Sequence, residues 1–232
     1  MELANPIVII SMRVLASSLE NELPEEVLDQ KDLMFCLWVF HYFYRAIVYP
    51  LRSSSRSNIS IFLVVSAILF NVLNSYINGY ALYFFNYQQP VDAIQFYFGV
   101  FLFVNGWFGN LIHDNYLLKL REICDNMKLH NHSEATIIKF HPEITKDDFF
   151  KTDEGRVYIL PKKYLFKYIT SPNYFCETLE WLGLFIATPS IASFLFFMNT
   201  FLTLADKAKH SNRWYRKKFS TYDRKAIIPF LY

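Results

Sequence analysis

Charged residues leave long gaps in this chain. Asp, Glu, Lys, Arg and His are all absent from Ile59 to Val91, and again from Ala93 to Ile112. A helix that crosses a bilayer needs about 20 predominantly apolar residues, so each gap predicts one spanning helix. Leu33 to Tyr49 predicts a weaker third, interrupted by His41 and Arg45. The apolar region from Tyr174 to Ala205 is long enough to cross and partly return, with Pro189 near its middle. Proline removes a backbone donor and kinks or breaks a helix, so a bent helix or a short helical pair is expected there. A large buried helical core in a soluble protein is the competing pattern, and the window lengths weigh against it. The expected fold class is therefore an all-α integral membrane protein, a multi-helix transmembrane bundle.

The polar connections suggest an orientation. The uncharged opening ANPIVIISM is too short to span and shows no clear cleavage site, so no cleaved signal peptide is expected. Leu19 to Asp32 is acidic and polar. The loop from Arg45 to Ser57 carries Arg45, Arg52 and Arg56 without an acid, whereas Gln88 to Asp92 has no base. The bias of basic loops towards the cytoplasm puts the arginine loop in the cytosol and the Asp92 turn on the far side. By the same argument the polar region from His113 to Asn173 and the basic segment after Asp206 are cytosolic. The chain closes on RWYRKKFSTYDRKAIIPFLY, a cationic, aromatic run for the headgroup region with an apolar tail tucked back. A single membrane-embedded domain over residues 1–232 is expected, with a polar cytosolic insertion at about 122–157.

Composition narrows the function classes. Hydrophobic residues make up 53% and aromatics 19% of the 232 residues, more aromatic side chain than one soluble core of this size needs. A net charge of +2 is too small to argue for nucleic acid, and without a basic stripe no such partner is expected. Cys36, Cys124 and Cys176 are widely spaced and match neither a disulfide framework nor a zinc pattern. His130, His132 and His141 lie in the polar insertion, but His-x-His without tetrahedral partner spacing is a weak metal signal. No metal is expected, and the insertion reads as a solvated, partly disordered loop.

Polar residues collect at the ends of the apolar segments, where ionisable groups are functional-site candidates by default. Asn110, Asp114 and Arg121 lie near one helix face, and so do Asn173, Glu177 and Glu180. Both faces sit at the cytosolic end and could line one pocket. Amide and carboxylate groups suit ribose and amide partners, while Arg121, Arg56 and the C-terminal bases suit phosphates. The alternative is a set of helix ends solvated at the interface, with Arg and Lys snorkelling. Tyr42, in HYFYR, is either an interface anchor or, with a carboxyl such as Glu22, a donor that polarises a substrate carbonyl. Spacing alone leaves both pairs of readings open.

These residues carry a resemblance. Asn21-Glu22-Leu23-Pro24, HYFYRAIVYP from His41, Asn78-Gly79-Tyr80, Asn110 through Arg121, and Tyr158 to Pro161 resemble the steroid 5α-reductase (3-oxo-5α-steroid 4-dehydrogenase) family. So do Leu165-Phe166-Lys167-Tyr168, SPNYFCETLEWLG from Ser171 and RKAIIPFLY at the end. The combination of SPNYF, ExxEW and the RKAIIPF tail is the specific part. The resemblance implies a seven-helix fold in the endoplasmic reticulum membrane, with an NADPH site facing the cytosol and a lipid-filled cavity between helices. It implies that Glu22 and Tyr42 bind the 3-keto oxygen of a steroid-like lipid drawn from the bilayer. It further implies that Arg56, Asn110, Asp114, Arg121, Asn173, Glu177, Tyr215 and Arg224 hold NADPH. The implied activity is reduction of the 4,5 double bond of 3-oxo-4-ene steroids. Relatives acting on polyprenols or trans-2-enoyl-CoA, and a non-catalytic truncated homologue, are the alternatives. The chain departs from the family where its first membrane helix has almost no counterpart, so an N-terminally shortened bundle is expected. It also departs where the family's glycine pair is replaced by Lys163-Tyr164.

Overall fold

The computed structural model describes residues 2–19, 30–53, 59–85, 91–130, 133–153, 155–220 and 222–229. These residues are mostly helical and fall into two compact units. One unit comprises Met1–Trp107 and Thr178–Thr200, the other Phe108–Glu177 and Phe201–Tyr232.

The first unit begins with α1 (Ala4–Leu19), whose buried positions Asn5, Ile9, Met12 and Ala16 recur at helical spacing. The N-terminal stretch is thus helical, although at 16 residues it is shorter than a spanning helix requires. Its buried face packs on α4 (Ile61–Tyr83), where Met12 meets Gly79 and the Asn5 amide donates to Asn71. α4 divides sharply by face: Asn71, Asn74, Ser75 and Asn78 are buried, whereas Ile61, Phe62, Leu63, Leu69, Phe70 and Leu73 are exposed. Polar-in, apolar-out is the pattern of a helix facing lipid. Among the described residues, α4 is the one helix long and apolar enough by itself to cross a membrane. The second gap, Ala93 to Ile112, forms the first part of α5 (Ala93–Leu129), where Gln95, Asn105 and Asn110 dilute the apolar run.

α2 (Gln30–Phe43) continues through a π-helical turn, Tyr44–Val48, into α3 (Tyr49–Arg52). Pro50 explains the widening: it cannot donate to the carbonyl four residues back, and its ring would press on it. α7 (Pro172–Ala187) and α8 (Ile191–Lys218) are separated at Thr188-Pro189-Ser190, the helical pair expected around Pro189. The break is closed by local bonds: the Thr188 hydroxyl donates to Leu184 O at 2.9 Å, and Ser193 N donates to Ser190 Oγ at 3.0 Å. The core of this unit is aromatic, built from Trp38, Tyr42, Phe96, Phe103, Trp181 and Phe196 with Ile9, Met34 and Leu184.

Gly99 and Gly183 allow α5 and α7 to touch backbone to backbone in this unit. A Cβ on Gly99 would lie 2.5 Å from Ala187 N, and one on Gly183 would lie 2.5 Å from Gly99 O. Small residues are what permit such close helix contact in a membrane environment.

The second unit corrects the expectation of a solvated loop. The polar segment after Arg121 prolongs α5 to Leu129, then forms α6 (Glu134–Phe140), a 3-10 turn (Lys146–Asp148) and a hairpin of β1 (Phe149–Lys151) with β2 (Val157–Ile159). The strands are antiparallel, with Phe149 opposite Ile159 and Lys151 opposite Val157. Among the described residues the fold is therefore helical with one small sheet, not wholly α. Leu120, Ile123, Met127, Ile137, Ile144 and Ile159 form a core under this segment. A reciprocal cap between Thr145 and Asp148, with Lys162 paired to the buried Asp148 carboxylate, fixes the turn into the hairpin.

Candidate functional site

The second unit gathers most of the residues that the sequence nominated for a cofactor. α5 supplies Asn110 and Asp114, both buried, and the start of α7 supplies Asn173 and Glu177. Asn110 Nδ2 donates to Glu177 Oε2 at 3.2 Å and to Asn173 O at 3.3 Å. Asn173 Nδ2 donates in turn to Asp114 Oδ1 at 2.9 Å. Gly109 lets the two helices come this close, because a Cβ there would lie 2.6 Å from Cys176 Sγ. The i, i+4 spacing on each helix brings each pair to one face, and the face of one meets the face of the other.

The C-terminal segment is anchored by backbone pairing. Thr170 N donates to Lys225 O, Ser171 N to Ala226 O, and Lys225 N to Tyr168 O, a parallel bridge between the strand-like run before α7 and the tail. Ile227 is buried with Leu204, Ala208 and Ala226, so the described part of the apolar end is tucked back as the sequence led us to expect. Arg224 is held on this frame: its Nη1 donates to Pro161 O at 2.5 Å, and its guanidinium lies 4.9 Å over the Tyr222 ring. Tyr222 donates to Thr170 Oγ1 at 2.7 Å and stacks on Tyr215 with centroids 5.2 Å apart. Asn212 Nδ2 joins the same frame through Thr170 Oγ1 and Arg224 O, at 2.6 and 2.7 Å.

Electrostatics tie the remaining nominees together. Burial pushes the Tyr215 phenol up to about 12 and Tyr222 adds to the rise, while the positive charges of Arg224 and Arg121 oppose it. Arg121 is exposed, yet its charge reaches Tyr215. Burial lowers the Arg224 pKa, with Tyr222 and Tyr215 working against that shift. Tyr215 is thus a neutral ring at physiological pH, within the field of two cations. Arg56 lies outside the described residues.

The backbone at Tyr164 has φ 55, the left-handed region that favours glycine. A non-glycine residue thus holds a backbone shape that glycine adopts at lower cost. The Tyr164 ring rests edge-on against His113 and Tyr116, at 5.9 and 6.0 Å.

In the first unit Tyr42 is buried on α2 among Trp38, His41 and Trp181, with ring centroids 5.9, 4.9 and 6.0 Å away. Glu22, its expected partner, lies outside the described residues. A cavity beside Trp38 is lined by Ile9, Met34, Phe35 and Leu184, with Asn78 and Ser193 as polar members. Glu180 does not join Asn173 and Glu177, although spacing put all three on one face. Its Oε1 lies 2.7 Å from His41 Nδ1, and both side chains are buried in the first unit. Sequence reading missed this pair; its only signals were a histidine in the apolar HYFYR run and the second acid of ExxEW. It also missed Thr170, Asn212 and Tyr222, which hold Arg224 and have no periodic signature. Among the described residues no group of three or more His, Cys, Asp and Glu could hold a metal ion.

The sequence model described as 3-oxo-5-alpha-steroid 4-dehydrogenase matches residues 57–130 and 126–232. An uncharacterized protein, C9.08c, of Schizosaccharomyces pombe is 36% identical over 201 residues, covering 84% of this chain and 66% of the relative. Steroid 5-alpha-reductase DET2 of Solanum lycopersicum is 32% identical over 208 residues, covering 86% and 69% respectively. Human 3-oxo-5-alpha-steroid 4-dehydrogenase 1 is 28% identical over 204 residues, covering 86% and 67%. The chain spans about two thirds of the length of these curated relatives. Matched by the family's model over more than half its length, the chain belongs to the 3-oxo-5-alpha-steroid 4-dehydrogenase family of oxidoreductases.

Proposed function

We propose that this chain reduces the 4,5 double bond of 3-oxo-4-ene steroids with NADPH, as a multi-pass protein of the endoplasmic reticulum membrane with its cofactor site facing the cytosol. The observation that carries the reading is the part-buried network of Asn110, Asp114, Asn173 and Glu177, in the same unit as the cationic Tyr215–Arg224 frame. Its donor set fits the group: amides and carboxylates match a carboxamide and ribose hydroxyls, and Arg121 and Arg224 match phosphates. Arg56 completes that set in the reading.

NADPH, when bound, supplies the hydride that reaches carbon 5 of the enone. Tyr42, supported by Glu22, donates a hydrogen bond to the 3-keto oxygen, where enolate charge develops as carbon 5 is reduced. Such a donor contributes most in a dry, aromatic site, and Trp38 and Trp181 supply those walls. A proton then reaches carbon 4, the enolate collapses to the ketone and the double bond is saturated. The steroid-like lipid enters from the bilayer, consistent with the exposed apolar face of α4. The seven-helix bundle of the family is the architecture this reading assumes.

The test is turnover of a 4-ene-3-ketosteroid with NADPH in membranes containing the protein. Tyr42→Phe is expected to lower kcat by about 10²–10³, and Glu22→Gln to lower it as well. Asp114→Ala is expected to weaken NADPH binding. Unchanged turnover in both Tyr42→Phe and Glu22→Gln would sink the catalytic assignment. A wild type inert towards steroid but active on a polyprenol or an enoyl thioester would move the chain to those relatives, and one inert on all three would mark a non-catalytic protein.

A further inference from the structure

We infer that the buried His41–Glu180 pair is a positioning device for Tyr42, an inference that rests on the catalytic reading of that tyrosine. His41 Nδ1 and Glu180 Oε1 are 2.7 Å apart, with the two residues 3% and 0% exposed. With an ionised carboxylate the ring N–H donates and the oxygen accepts. The pair joins α2 to α7 across 139 residues of sequence. Each partner sits one residue before an aromatic that faces the other helix: His41 precedes Tyr42, and Glu180 precedes Trp181. The His41 ring contacts the Trp181 ring at 4.7 Å, and Trp181 contacts Tyr42 at 6.0 Å. One bond therefore sets the register of both walls around the tyrosine.

Energetics favour geometry over stability as the role of the pair. Burying a carboxylate and an imidazole strips their hydration, which the bond between them does little more than offset, so the pair adds little net stability over apolar packing of the same volume. An ionisable residue within an apolar helix is expensive and marks a functional place by default. Tyr42 is the second-last residue of α2, just before the π-helical turn at Tyr44, so a bond to α7 fixes this helix end from outside. The ring contacts around Tyr42 act through shape, and the His41–Glu180 bond adds a directional one between the same two helices.

Three variants test this in membranes, with NADPH affinity and thermal unfolding measured beside turnover. Glu180→Gln keeps an acceptor at the same reach and is expected to hold kcat within about threefold of wild type. Glu180→Leu removes the acceptor and is expected to lower kcat by about tenfold or more, with steroid KM and NADPH affinity nearly unchanged. Glu180→Asp keeps the charge but shortens the arm by one carbon; it is expected to lower kcat several-fold, and it carries the test if the leucine variant does not accumulate. Wild-type kcat in folded Glu180→Leu or Glu180→Asp would overturn the inference. So would equal losses in Glu180→Gln and Glu180→Leu, or a fall in thermal stability and NADPH affinity that tracks the loss of turnover. Tyr42→Phe separates the two levels. If that variant retains full turnover, the catalytic role of Tyr42 fails, and with it the ground for this inference; if it loses turnover while folded Glu180→Leu keeps it, only the positioning role fails.

Discussion

Asn110 shows how much one side chain in the second unit is asked to do. Its single amide nitrogen serves the Asn173 carbonyl and the Glu177 carboxylate, while Asn173 passes its own amide to Asp114. These four were legible as two helix faces from their spacing, and the structure brings the faces together. Glu180 was grouped with them by the same arithmetic and belongs elsewhere, because seven residues carry it about 10 Å further along the helix axis from Asn173. Tyr164 carries a second lesson, since its left-handed backbone keeps a glycine-like turn under a bulky side chain. A prediction at this scale concerns Cys124, whose thiol is pushed up to about 11 first by burial and then by the charge of Asp125. The shift is upward, so the reactive thiolate is depleted at neutral pH and appears as pH rises. Roughly one thiol in a thousand is ionised at pH 8. Alkylation followed by mass spectrometry should find the Cys124 peptide largely unmodified at pH 8, with a rate that climbs steeply towards pH 10. Ready labelling at pH 8 would mean that the packing of the 122–157 segment onto α5 is wrong.

Among the elements, α7 is the most informative. Its glycine at 183 admits the α5 backbone, its cysteine at 176 fits over Gly109, and Pro189 ends its course before α8. Gly183→Ala places a Cβ against the backbone of Gly99 and Phe103, where no flexible side chain can move aside. We expect it to cost about 1–3 kcal/mol, read as a lower midpoint of thermal unfolding in detergent. Gly79→Ala should be milder, since only the Met12 side chain at 3.3 Å and Ile9 at 3.8 Å have to yield. Equal stability of wild type and Gly183→Ala would contradict the close crossing. The helical pair around Pro189 was legible because proline acts on its own backbone. The 122–157 segment was not. Its core residues Ile137 and Ile144, like the adjoining Ile159, sit on short elements or connections where no period can show, and they cohere with Ile123 and Met127 of α5 only once the hairpin folds back on that helix.

At the scale of the whole molecule the expectation is a polytopic protein whose arginine-bearing and cofactor-bearing segments share the cytosolic side. α4 is the element that tests it, being apolar along its exposed face and polar along its buried one. In a background lacking the native cysteines, Ser53→Cys and Asp92→Cys should react with an impermeant maleimide from opposite sides of sealed membranes. Labelling of both from one side would exclude a single crossing between them. The charge-free windows, the break at Pro189 and the motifs that define the family are properties of residues close together in the chain, and the sequence by itself determined them. The asparagine and carboxylate network, the seating of the tail on Thr170 and Ser171, and the His41–Glu180 pair join residues 55 to 139 positions apart. Such bonds leave no periodic trace. They depend on which helix faces meet and how closely glycine lets them approach, and only the tertiary structure decided that.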